Sequence, residues 1–111
     1  IYDLAHRFFE ESWELICGIS YPEIMREMKL GFPVVDVKST FHSPIKYGDS
    51  VTAKISITHV GNSSCKWSYQ FYNQDNLLLW TSEQVTVCVN LEKMDSVSIP
   101  NNLKIGLEGH K

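Results

Sequence analysis

Apolar residues return every three or four positions over Asp3 to Cys17. Leu4, Ala5, Phe8, Phe9, Trp13 and Ile16 form one stripe, with His6, Arg7, Glu10, Glu11 and Glu14 mostly between them. That period predicts an amphipathic helix with a single apolar face. Asp3 stands where it can cap the first turn, and Gly18 follows Cys17 where a left-handed residue ends a helix. Phe8, Phe9 and Trp13 are each worth about 1.5–3 kcal/mol or more on burial, so the helix needs something broad to lie against, and a sheet face is the natural candidate. A second, shorter helical pattern covers Tyr21 to Lys29, with Pro22 at its first position.

After Gly31 the period drops to two. Val35, Val37, Ser39 and Phe41 alternate with Val34, Asp36, Lys38, Thr40 and His42, the mark of a strand with one drier face. Val51, Ala53, Ile55 and Ile57 alternate in the same way before a turn at Gly61-Asn62, read as a site of positive φ. Ser64 to Tyr72 carries Cys65, Trp67, Tyr69 and Phe71 on one side. Asn73 to Asn76 turns the chain, and Leu77 to Asn90 reads as one long closing strand. The pattern predicts an antiparallel meander with one face covered by the long helix, a two-layer α+β domain. Ser96 to Leu103, with Pro100, reads as a terminal turn, and Lys104 to Lys111 as a loose, mobile tail. No repeat, linker or low-complexity segment interrupts the 111 residues, which read as a single domain.

Composition narrows the chemistry. Apolar residues make up 43% of the chain and net charge is −3, enough for one core and without the basic face a nucleic acid would require. Cys17, Cys65 and Cys88 are odd in number and contain no CxxC pair, which argues against a disulfide framework and a zinc site. Reduced thiols, no membrane span and no signal peptide point to the cytoplasm. His6, His42, His59 and His110 are scattered, so no metal is expected. Opening on Ile1-Tyr2-Asp3 rather than Met, the sequence reads as lacking its native start.

Several short motifs then fall in a telling order. The helix breaks at Cys17-Gly18-Ile19, Phe32-Pro33-Val34-Val35 follows, and Pro44-Ile45-Lys46-Tyr47-Gly48-Asp49 turns the chain. Val60-Gly61-Asn62-Ser63-Ser64 comes next, then Glu83 to Asn90, with Lys93-Met94 and Ile99-Pro100 behind it. From Tyr2 to about Leu103 this order resembles the hotdog-fold acyl-CoA thioesterases of the 4-hydroxybenzoyl-CoA thioesterase type. The resemblance implies an antiparallel sheet wrapped around one long N-terminal helix, with the first strand missing from this chain.

It also implies an activity, the hydrolysis of a coenzyme A or acyl-carrier thioester without a metal or redox cofactor. Such hydrolysis needs a carboxylate to attack the carbonyl or activate water, and positive potential where the oxygen gains charge. By resemblance the carboxylate is an Asp or Glu upstream of Ile1, so no catalytic residue is assigned within the chain, and Asp3 keeps its capping reading. The backbone N–H groups at the start of the long helix would meet the oxygen. Glu10, Glu11 and Glu14 read as solvated, with Arg7 and Glu10 as a surface pair. Tyr2, His6 and Val35 are the acyl-pocket candidates, and Asn62, Ser63, Ser64 and Lys66 the coenzyme A candidates, Ser64 first among them. The resemblance further implies a homodimer or homotetramer, with the edge strand at Pro33 to Val37 as its interface. The alternatives are a non-catalytic small-molecule or protein-binding domain of the same layers, including a cystatin-like inhibitor, and a hotdog dehydratase. The dehydratase would need a His-Phe-Pro motif and a helix-borne acid, which nothing here supplies.

Overall fold

The computed structural model describes residues 2–110, with side chains from Leu4 to His110. Helix α1 spans Tyr2–Cys17 and α2 spans Tyr21–Glu27. Gly18 ends α1 with φ +72°, and its N–H donates to the Glu14 carbonyl at 2.9 Å. The capping role expected of Asp3 falls outside the described side chains. Ser20 caps α2 by accepting from the Glu23 N–H at 3.4 Å, and Pro22 occupies the first turn, where its missing N–H costs nothing.

Six strands follow: β1 at Leu30–Gly31, β2 at Val34–Phe41, β3 at Thr52–Val60, β4 at Ser64–Tyr72, β5 at Leu78–Val87 and β6 at Val89–Asn90. β1 and β6 form a short ladder of their own, and the other four make an antiparallel sheet in the order β2-β5-β4-β3. The meander expected from the turn spacing therefore holds only for β3, β4 and β5. β2 crosses to the far side and pairs with β5. Alternation reports the face a residue takes and is blind to which strand lies beside it. The expected long closing strand is also broken. Cys88 separates β5 from β6, its N–H donating to the Ser63 carbonyl at 2.7 Å, and the chain then pairs with β1 instead.

Register assigns the faces. Ala53, Ile55 and Ile57 on β3 stand opposite Phe71, Tyr69 and Trp67 on β4, which in turn face Trp80, Ser82 and Gln84 on β5. This inner face receives α1. Phe8 meets Phe71 at a ring separation of 5.7 Å, Phe9 meets Trp67 at 4.9 Å, and Trp13 packs among Trp67, Tyr21 and Phe32, the last at 4.5 Å. The outer face carries Lys38, Thr40, Lys54, Ser56, Lys66, Ser68, Gln70, Thr81 and Glu83, and it is mostly polar, with Val85 and Val87 of β5 among these residues.

The loose tail expected from Lys104 onward is instead part of a helix, α3 at Asn101–Gly109. Leu103 and Leu107, one turn apart, are fully buried, which gives the segment the apolar contact it needs to hold helical form. Gly106 lies directly on the end of α1. A Cβ there would come within 2.8 Å of Cys17 Sγ and 2.9 Å of the Ile16 carbonyl, so only glycine lets the two helices approach this closely. Replacing Leu107 with Ala is expected to destabilise the fold by about 2–5 kcal/mol, whereas the same change at exposed Ile105 stays within about 0.5 kcal/mol. Urea unfolding of the two variants measures the difference.

Candidate thioester site

Of the site candidates, the structure holds Asn62, Ser63 and Ser64 together. Asn62, Ser63 and Ser64 form the β3–β4 turn, and three backbone bonds hold it: Gly61 N–H to the Ser64 carbonyl at 2.8 Å, Cys88 N–H to that of Ser63, and Ile99 N–H to that of Asn62 at 2.9 Å. The turn is thus tied at once to its own hairpin, to the β5–β6 break and to the segment leading into α3. Gly61 is not among the residues of positive φ, contrary to expectation. Its bareness serves close approach, because a Cβ would stand 2.9 Å from Ser64 Oγ. Lys66, two residues along, points from the outer face, with its Nζ 4.0 Å from Glu83 Oε2, a loose surface pair that leaves the ammonium able to meet another anion.

His6 stands on α1 and Val35 on β2. The His6 ring stacks on Phe9 at 6.0 Å, and its Nε2 is 2.8 Å from Glu10 Oε1. The surface pair on this helix is therefore His6 with Glu10, not Arg7 with Glu10 as expected. His6 and Glu10 are one helical turn apart, and their side chains lie on the same side. Val35 is the extra residue of a bulge where the β2–β5 register shifts between Val34 and Asp36, and it is 61% exposed. Tyr2 belongs to α1, but its side chain lies outside the described residues.

Nucleophilic chemistry by a cysteine has no support in this environment. Cys17, Cys65 and Cys88 are free, and burial raises all three thiols, Cys65 to about 12 and Cys88 to about 11. A thiol held protonated at neutral pH is a poor nucleophile. Tyr69 and Tyr21 are likewise pushed up, chiefly by burial, and Tyr21 spends its hydroxyl accepting from the Phe32 N–H at 3.0 Å. The leading end of α1, like any helix N-terminus, carries N–H groups without partners inside the helix, which favour negative charge.

A sequence profile of the thioesterase superfamily matches residues 5–79. The chain belongs to the thioesterase superfamily. Solved structures agree on the fold. A thioesterase-superfamily protein from Jannaschia sp. CCS1 superposes with a TM-score of 0.89 at 16% identity, over 97% of this chain and 75% of its own. Slr0204, a 1,4-dihydroxy-2-naphthoyl-CoA thioesterase from Synechocystis, gives 0.81 at 20% identity, covering 96% and 77%. SAV2348 from Staphylococcus aureus, solved in complex with CoA, gives 0.85 at 16%, covering 98% and 68%. The long helix on a curved antiparallel sheet is the hotdog fold expected from the motif order.

Within this thioesterase fold, two features escaped the sequence reading. Ser82, Gln84 and Thr86 are buried polar residues on the inner face of β5. Alternation puts them on one face of the strand but does not say whether that face is buried. The second is a latch between loops. Asp49 Oδ2 accepts the Lys46 N–H at 2.8 Å, its Oδ1 accepts from the Gln74 amide at 3.2 Å, and Gln74 Oε1 accepts the Ser50 N–H at 3.0 Å. The latch fixes the Pro44 to Asp49 turn against the β4–β5 turn, beside a cleft of about 280 Å³.

The Lys46 N–H and then the Gln74 amide hold the Asp49 carboxyl below its ordinary value of 3.8. A group depressed in the folded state adds stability above its unfolded pKa and loses it as pH falls through the folded value. The stability difference between wild type and Asp49→Ala is therefore present at neutral pH and closes below the ordinary value of 3.8. Denaturant unfolding of both proteins across the acid range checks this.

Proposed function

We propose that this chain hydrolyses an acyl-CoA thioester to the free acid and coenzyme A. The observation that carries the reading is the superfamily match across residues 5–79, which takes in most of α1 and strands β1 to β4. The CoA bound to SAV2348 and the naphthoyl-CoA activity of Slr0204 support the substrate class.

The thioester carbonyl sits at the leading end of α1, where free N–H groups stabilise the oxyanion as the tetrahedral intermediate forms. The attacking carboxylate, or the one that activates water, lies upstream of Ile1. Asn62, Ser63, Ser64 and Lys66 receive the phosphates of coenzyme A through N–H, hydroxyl and ammonium donors. Tyr2 and His6 at the start of the helix, with Val35 at the sheet edge, bound the acyl group.

The working form is a homo-oligomer of the cytoplasm, at least a dimer, joined along β2. That strand leaves one edge bare and exposes Val34, Val35, Val37 and Phe41, a long apolar edge of the kind that seeks a partner. Among the described residues no helix is long and apolar enough to cross a membrane. Sedimentation velocity should return a multiple of the protomer mass, and replacing Val35 and Val37 together with Lys should return single protomers. A wild-type protein that sediments as a monomer counts against the assembly.

The activity is tested by following free thiol released from a panel of aliphatic and aromatic acyl-CoAs, using protein that carries its native upstream residues. At least one thioester should turn over. Tight binding of an intact acyl-CoA with no thiol released from any of them would make the protein a binding module instead.

A further inference from the structure

The β3–β4 turn divides its hydrogen-bonding groups unevenly. Its acceptors are engaged: the carbonyls of Asn62, Ser63 and Ser64 take the N–H groups of Ile99, Cys88 and Gly61. Its donors are not. Among the described residues the N–H groups of Asn62 and Ser63 have no partner, and the Ser64 hydroxyl makes no hydrogen bond. A turn with its acceptors used and its donors free is arranged to receive an anion.

One further side chain joins these donors. The pairing of β3 with β4 slips between Ile57 and His59, so that His59 takes the place opposite Lys66 that an unbroken ladder would give to Thr58. Bulges of this kind re-aim a side chain. A Cβ on Gly61 would stand 2.9 Å from Ser64 Oγ and 3.7 Å from His59 Nε2, so hydroxyl and imidazole flank one point beside the bare glycine. The His59 ring is exposed and makes no hydrogen bond among the described residues. Lys66 stands at the same corner, its Nζ 4.0 Å from Glu83, the one carboxylate at ion-pair distance from this group among the described residues.

We infer that His59 is a phosphate-binding residue that, with Ser64, receives the ribose 3′-phosphate of coenzyme A and so selects intact coenzyme A thioesters over those lacking that phosphate. This rests on the acyl-CoA reading above. A phosphate monoester offers three terminal oxygens and close to two negative charges at neutral pH, which suits several donors around one point. Each phosphorus of the diphosphate bridge keeps only two such oxygens. Place agrees with chemistry. The turn lies at the opposite end of β4 from Phe71, which Phe8 of the leading half of α1 covers, roughly 23 Å along the strand at about 3.3 Å per residue. That separation fits the end of coenzyme A remote from the thioester.

The test takes the acyl group that turns over fastest and compares its coenzyme A, 3′-dephospho-coenzyme A and pantetheine thioesters, on protein with its native upstream residues. Wild type should lose about tenfold or more in kcat/KM with the 3′-phosphate, chiefly through KM. His59→Leu and Ser64→Ala should each lose about three- to tenfold on the intact thioester and match wild type on the other two. His59 is exposed on an edge strand, so its replacement leaves the fold in place. Adenosine 3′,5′-bisphosphate should also shift the NMR signals of the His59 ring saturably, and ADP should leave them unmoved. Equal kcat/KM for the intact and dephospho thioesters, or a His59→Leu loss of the same size on both, overturns this assignment while leaving the hydrolase intact. If no thioester is hydrolysed, the hydrolase reading falls and the titration decides alone: a saturable shift upholds the phosphate site, and unmoved signals overturn it.

Discussion

Everything in this fold depends on burying the aromatic stripe of one helix against one face of one sheet. Trp13 is fully buried among Phe9, Tyr21, Phe32 and Trp67, drawing together α1, α2, the β1–β2 connection and β4 in a single cluster. Aromatic pairs in tilted and edge-on arrangements add about 0.5–1.5 kcal/mol each beyond the area they bury. The cluster carries a cost as well. Trp13 Nε1 is buried with no acceptor among the described residues, a penalty the surrounding contact offsets.

Holding α1 at this point fixes two things relevant to chemistry. Its leading half is brought level with the middle of β4 and β5, and its trailing end is pressed on α3 at Gly106. The helix cannot slide along the sheet without parting from one or the other. A helix terminus used to stabilise charge is effective only when it is held in place, since the benefit of preorganised dipoles is that nothing must move as charge develops.

Much of this was legible in advance, and the exceptions share a cause. The three- and four-residue spacing of Leu4, Phe8, Phe9 and Trp13 announces α1, and Gly18 its end, because both signals are local. Pairing β2 with β5 is non-local, and the alternation in Val35, Val37, Ser39 and Phe41 says nothing of it. The bulge at Val35 even shifts that alternation, bringing Val34 opposite inward-facing Thr86. α3 was missed because Pro100 reads as a chain breaker, while Leu103 and Leu107 alone make too short a stripe to outweigh it. The candidate turn at Gly61 to Ser64 is nominated through family motifs alone, and the burial of Gln84 and Ser82 runs against the rule that polarity usually means exposure. Here it marks the inside.

The outward surface of the sheet has its own consequence. Lysines at 38, 54 and 66, with Glu83 and a lattice of hydroxyls and amides, make that broad plane largely hydrophilic around Val85 and Val87. Two such planes brought back to back would exclude little oil-like area and would instead trap water and counter-ions. Any higher-order stacking through them would loosen as ionic strength rises, while union along the bare valine-rich margin would hardly notice the salt.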